Sequence, residues 1–169
     1  LRKRYLKLFP IDDFLTDKKL IDSIKKTLEL DQESIINKLI SIDDKNKFRQ
    51  VIIFLVCYNY LNILIKINEI IGIDLGMENN ILLNIAIDFH HEEIVKYIIS
   101  QNVKVELESA KYAIFALYNY TKHSFNCENE QFKIFKLLAE SGINIHAENE
   151  YLLKQSCSYS RCNFDIIKY

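Results

Sequence analysis

The chain has 169 residues, 49% of them apolar, with 22 basic and 23 acidic residues for a net charge of −1. That is enough chain for a sizeable core in one domain, and the balanced charge excludes a whole-protein field that would gather nucleic acid or anionic membrane. One Pro and three Gly leave no flexible linker and too few turn formers for an all-β fold.

In chain order, residues 1–9 read as the tail of a second helix. Leu1-Arg2-Lys3-Arg4-Tyr5 leads into an amphipathic segment and not into the apolar core of a secretory signal. First helices are predicted near 14–28, 46–58, 79–89, 108–120 and 149–159. Second helices are predicted near 31–41, 60–71, 91–101, 129–140 and 163–169. Asp31, Asn79, Asn149 and Asn163 are the predicted caps for orphan backbone donors at helix starts. The run 51–58 is apolar throughout, but Asn59, Asn62 and Lys66 interrupt the apolar stretch beyond it. It reads as a helix buried between neighbours and not as a membrane span.

A repeated segment organises these elements. Tyr5-Leu6-Lys7-Leu8, Leu64-Ile65-Lys66-Ile67, Ile94-Val95-Lys96-Tyr97, Ile134-Phe135-Lys136-Leu137 and Ile166-Ile167-Lys168-Tyr169 share one pattern, with a looser copy at Ile35-Ile36-Asn37-Lys38-Leu39. Starting at residues 5, 35, 64, 94, 134 and 166, they lie 30, 29, 30, 40 and 32 residues apart. Chance gives roughly two apolar-apolar-Lys-apolar matches in a chain this apolar. Each internal copy runs into a Gly or Asn and then an alternating apolar/polar stretch: Gly72-Ile73-Asp74-Leu75, Asn102-Val103-Lys104-Val105 and Gly142-Ile143-Asn144-Ile145. Small residues (Ala86, Ala113, Ala116, Ser156) would let neighbouring first helices approach closely. This period and layout predict an all-α fold: an α-solenoid of stacked helix-turn-helix repeats with short or irregular finger turns.

The unit resembles the ankyrin repeat, most closely in Gly142-Ile143-Asn144-Ile145-His146-Ala147-Glu148-Asn149-Glu150-Tyr151-Leu152-Leu153. Its wording is similar to the divergent ankyrin proteins of giant DNA viruses of amoebae, and the Ile, Asn and Lys content fits an AT-rich source. The resemblance covers most of the chain and is specific from about Asn79 onward. The family's Thr-Pro-Leu-His opening is replaced by Asn80-Ile81-Leu82-Leu83 and Glu150-Tyr151-Leu152-Leu153, and its Gly-His between helices by His90-His91. The expected organisation is a single array over 1–169, with approximate units 1–13, 14–44, 45–75, 76–105, 106–145 and 146–169. Both ends read as cut from a longer array.

The resemblance implies binding of a protein partner, in a scaffold or adaptor role, through finger tips and the concave face of the first helices. Carried onto this chain, the candidate contacts are Asp74, Leu75, Glu78, Asn79, Lys104, Glu106, Asn144, His146 and Glu148. The 40-residue spacing marks an insertion at 121–128, where His123 and Phe125 are a second candidate contact. The alternatives are a structural or virion component that self-associates through its repeats, and nucleic-acid binding through Arg2, Lys3, Arg4 and Lys7. Balanced charge elsewhere favours reading that basic start as a solvated helix face. Phe9-Pro10-Ile11-Asp12 is too little to be an F-box-like segment.

Enzyme chemistry is not expected. Gly72, Gly76 and Gly142 form no phosphate cradle, and His90, His91, His123 and His146 have no metal-ligand spacing, so no cofactor or metal is implied. Cys57, Cys127, Cys157 and Cys162 lack paired zinc spacing and suit reduced thiols, with a Cys157–Cys162 bridge as the alternative. The expected setting is therefore intracellular and cytoplasmic: host cytoplasm or virion, on the viral resemblance.

Overall fold

Helix is the only regular structure among the described residues, which are 15–28, 32–121 and 127–158 of this computed structural model. The chain divides into two compact units, Leu1–Asp74 and Leu75–Tyr169.

The first unit contains α1 (Lys18–Leu28), α2 (Gln32–Ile40), α3 (Lys45–Cys57) and α4 (Leu61–Ile71). Apolar residues three and four apart put one stripe of each helix inward: Ile21 and Ile24 on α1, Ile36 and Leu39 on α2, Ile63, Leu64 and Ile67 on α4. In α3 every residue from 51 to 57 is buried, as expected for a helix held between neighbours. Each fully buried Ile, Leu or Phe contributes about 1.5–3 kcal/mol. Consecutive helices pair (α1 with α2, α3 with α4), and like packs on like: α1 on α3 and α2 on α4. Lys25 of α1 sits 5.7 Å from the Tyr58 ring centroid and 6.0 Å from that of Phe54, a cation–π cover over the end of α3.

Asp17 and Asp44 start α1 and α3. The Asp17 Oδ1 accepts from Leu20 N at 3.0 Å, and the Asp44 Oδ1 accepts from Asn46 N and Lys47 N at 2.9 and 3.2 Å. Gln50 of α3 ties the entry to α1, accepting from Asp17 N at 2.9 Å and donating to Thr16 Oγ1 at 3.2 Å.

The second unit contains α5 (Met77–Asp88), α6 (Glu92–Ser100), α7 (Leu107–Thr121), α8 (Cys127–Glu140) and α9 (Ala147–Ser158). The same rule of contact holds within it: α5 pairs with α6 and α7 with α8, while α5, α7 and α9 pack in succession and α6 packs on α8. Ala86, Ala113 and Ala116 are buried on the first-helix faces, and Ile94, Val95, Ile98, Ile134, Phe135 and Leu138 form the inner stripe of α6 and α8. Lys96 and Lys136 project outward. Lys96 pairs with Glu92 and Glu93 at 2.7 and 2.8 Å, which makes this lysine a solvated surface group.

Two recurrent turns connect the helices. After α3, Asn59 takes φ 61°, with Tyr60 N donating to Leu55 O at 2.9 Å. After α5, His90 takes φ 60°, with His91 N donating to Ala86 O at 2.9 Å. After α4, α6 and α8, the left-handed position falls on Gly72 (φ 67°), Asn102 (φ 58°) and Gly142 (φ 95°), the three residues expected there.

Three expectations about the helices are corrected. Asn79 does not cap a helix: it lies inside α5 at φ 56°, between Glu78 (φ 48°) and Asn80 (φ 63°), so the right-handed helix begins only after a left-handed turn. The repeat register in α4 is also displaced by one residue. Ile63 and Leu64, not Leu64 and Ile65, occupy the buried places taken in α6 by Ile94 and Val95. Apolar residues stand at so many places in Leu61-Asn62-Ile63-Leu64-Ile65-Lys66-Ile67 that the pattern matches in two frames, and packing selects one. Asn149 falls within α9, not ahead of its first residue. Asp31, Asn163 and the helix expected at 163–169 lie outside the described residues.

Candidate functional site

The segments preceding α7 and α9 turn sequence alternation into alternating exposure. Val103, Val105, Ile143 and Ile145 are half-buried, while Lys104, Glu106, Asn144 and His146 are exposed. Each tip thus keeps two apolar anchors half-buried and leaves two polar groups facing solvent, with residues 145 and 146 in a turn closed by Ala147 N donating to Asn144 O at 3.0 Å. Glu78, Asn79 and Glu148, at or just inside the helix starts, are exposed as well, and so is Asp74 at the end of the first unit. Leu75 differs from the rest. It is 3% exposed and belongs to the core, so its side chain is not available as a surface contact. His123 and Phe125 lie outside the described residues.

The two tips are supported differently. In 143–146 the support is internal: Asn144 Oδ1 accepts from His146 N at 3.1 Å, and His146 Nδ1 lies 3.0 Å from both carboxylate oxygens of Glu150. In 103–106 it comes from α5, where the buried Asn80 Nδ2 donates to Lys104 O at 2.8 Å. Asn84 Nδ2 donates to Asn79 O at 3.2 Å, and Asn84 Oδ1 accepts from Ser109 Oγ at 2.8 Å, joining α5 to the start of α7.

A charged clasp joins α7 to the start of α9. Lys111 Nζ donates to Glu108 Oε1 at 2.8 Å and reaches Glu148 Oε2 at 2.8 Å, while lying 4.8 Å from the Tyr151 ring centroid. The hydrogen bonds to Glu108 and then Glu148 hold Lys111 above the ordinary lysine value. Glu148 and Glu150 take φ 53° and 60°, echoing Glu78 and Asn80 in the matching stretch of α5. A left-handed non-glycine residue costs roughly 1–2 kcal/mol, so the backbone is strained at the same place in both helices.

At the far end of α5, burial pushes Asp88 up to about 6, and burial together with the neighbouring His91 pulls His90 down to about 4. Among the described residues no three His, Cys, Asp or Glu side chains gather in a metal-holding group, and no helix is long and apolar enough to cross a membrane. Cys57 is buried and Cys157 exposed; Cys162 lies outside the described residues.

Sequence reasoning missed Asn80, Asn84, Ser109, Lys111 and Tyr151. The spacing of Glu108 and Lys111 is readable on a helix, but the reach to Glu148 depends on packing between residues 37 positions apart. Comparison with protein-family models, with curated protein sequences and with solved structures returns no match.

Proposed function

We propose that this chain is a non-catalytic protein-interaction scaffold built from ankyrin-like repeats, with the tips 103–106 and 143–146 and the exposed starts of α5, α7 and α9 as its binding surface. The observation that carries this reading is the division of labour in the tips: apolar anchors half-buried, Lys104, Glu106, Asn144 and His146 presented to solvent. The contact rule within each unit, like helix on like helix, supports stacked two-helix repeats. A row of polar tips on packed helices is broad and shallow, which suits a protein surface better than a small substrate. The partner is a cytoplasmic protein, and a host protein if the chain is viral.

The test is site-specific photo-crosslinking in source cells. A crosslinker placed at Lys104 or Asn144 should capture a discrete protein that the same group at Lys96 or Lys136 does not. Equal capture from all four positions would contradict the assignment of the tips.

Ile70 and Ile71, 56% and 42% exposed at the end of α4, favour a second reading: a structural component that self-associates. Sedimentation over a wide concentration range separates the two. A constant monomer removes self-association, and a shift abolished by Ile70→Lys supports it.

A further inference from the structure

We propose that Asn80 is a positioning residue for the neighbouring tip: from inside α5 it fixes the backbone that displays Lys104 and Glu106. The proposal rests on the tips being the binding surface. Asn80 is 4% exposed, and its amide donates to a carbonyl 24 residues further along the chain, while the Lys104 side chain on that same residue points to solvent. The bond therefore grips the tip by its backbone and leaves its side chains for a partner.

The two tips make the dependence visible. Segment 103–106 contains no Gly, Pro, Asn or Asp, so its own sequence supplies nothing to rigidify it. Segment 143–146 has the Asn144 turn, closed by His146 N at 3.1 Å. Ala110 lies as far beyond Asn102 as Asn80 lies beyond Gly72, so in α7 the equivalent place has no donor to offer. An amide is thus present where the next tip lacks internal support and missing where the tip supports itself.

The local backbone explains why the residue is asparagine. At φ 63° a side chain is tolerated best if it is short and polar, and glycine, which tolerates the angle best of all, has no donor. Asparagine satisfies both demands. The strain of the turn at Glu78, Asn79 and Asn80 is offset by what that turn holds: Asn80 reaches Lys104 O, and Asn79 O receives Asn84 Nδ2 at 3.2 Å.

Nitrogen-15 relaxation on the full chain tests this without any partner, so failure of the binding reading and failure of this one are distinguishable. Asn80→Gly keeps the left-handed backbone and deletes the amide; Asn80→Asp keeps the shape and deletes the donor. Ser109→Ala breaks the buried bond to Asn84 and controls for loss of packing. The expected result is a fall in the Lys104 and Glu106 order parameters from about 0.85 to below about 0.6 in both Asn80 variants. The same residues should be unmoved in Ser109→Ala, and Asn144 and His146 unmoved throughout. Unchanged order parameters in Asn80→Gly, or an equal fall in Ser109→Ala, would overturn the proposal. Should the Asn80 variants fail to fold, the native chain decides: a through-hydrogen-bond coupling between the Asn80 side-chain amide and the Lys104 carbonyl carbon is expected, and its absence overturns the assignment.

Discussion

Breaking the contact between Asn84 and Ser109 should cost far more than the number of atoms removed implies. Both side chains are buried, 5% and 1% exposed, and the Ser109 hydroxyl has its 2.8 Å bond to Asn84 Oδ1 in place of water. Asn84→Ala strands that hydroxyl and also frees the Asn79 carbonyl, which had accepted from Asn84 Nδ2 at 3.2 Å. A stranded buried group costs about 1–3 kcal/mol, so Asn84→Ala should destabilise by about 2–4 kcal/mol and Ser109→Ala by about 1–2 kcal/mol. The double variant should fall short of the sum by about 1 kcal/mol, because the second change removes a partner already lost. Urea titration gives the four stabilities, and native-state hydrogen exchange at α5 and α7 amides assigns the loss to the second unit. Additive costs, within about 0.3 kcal/mol, would show that the two side chains are not coupled and that the bond does not hold α5 to α7.

The geometry fixes three further outcomes. Lys111→Met should lower stability by only about 0.5–1 kcal/mol, with a loss that shrinks as salt is added, because Glu108 and Glu148 are 63% and 53% exposed; calorimetry at low and high salt reads this. Gly72→Ala should destabilise by about 1 kcal/mol although nothing lies within 4 Å of the added methyl, since φ +67° alone penalises it, whereas Asn102→Gly should be neutral or slightly stabilising by thermal denaturation. Asp88 and His90 should give opposing pH dependences. Asp88, raised from 3.8 to about 6, contributes stability that is full below 3.8 and lost as pH rises through 6. His90, lowered from 6.5 to about 4, contributes stability that is full above 6.5 and lost as pH falls through 4. Each amounts to about 3 kcal/mol, so the native chain should be nearly flat between pH 4 and 6, while Asp88→Asn should be more stable at pH 7 and lose stability steeply on acidification. Urea titrations across that pH range check this, and an unchanged pH profile in Asp88→Asn would count against the assignment.

The helices are legible in the sequence because burial of one stripe leaves a periodic trace, as in Ile94-Val95-Lys96-Tyr97-Ile98, and because Gly72, Asn102 and Gly142 mark positions where the backbone turns left-handed. Alternation in 103–106 and 143–146 likewise announces which tip residues face solvent. The register of α4 is ambiguous, since apolar residues on adjacent positions satisfy two frames and only contact with a neighbour chooses between them. Asn79 reads as a cap because asparagine suits caps and left-handed turns alike. Leu75 is expected as a surface contact only because the resemblance carries the whole finger tip over; its place in the alternation matches the half-buried Val105 and Ile145, and the leucine is buried. The Asn80, Asn84 and Ser109 bonds leave no trace, since each joins residues on different turns or helices, and asparagine within a helical stretch reads as a surface residue until its neighbours are known.

Whether the polar tips bind a protein is decided by quantitative affinity capture from source cells. The native chain would be compared with a variant carrying Lys104→Ala, Glu106→Ala, Asn144→Ala and His146→Ala, four exposed positions whose side chains can be removed without opening the core. With melting temperatures matched, a partner captured by the native chain and lost by the variant is the expected result. The same partners recovered in equal amounts by both chains would contradict a binding role for the tips.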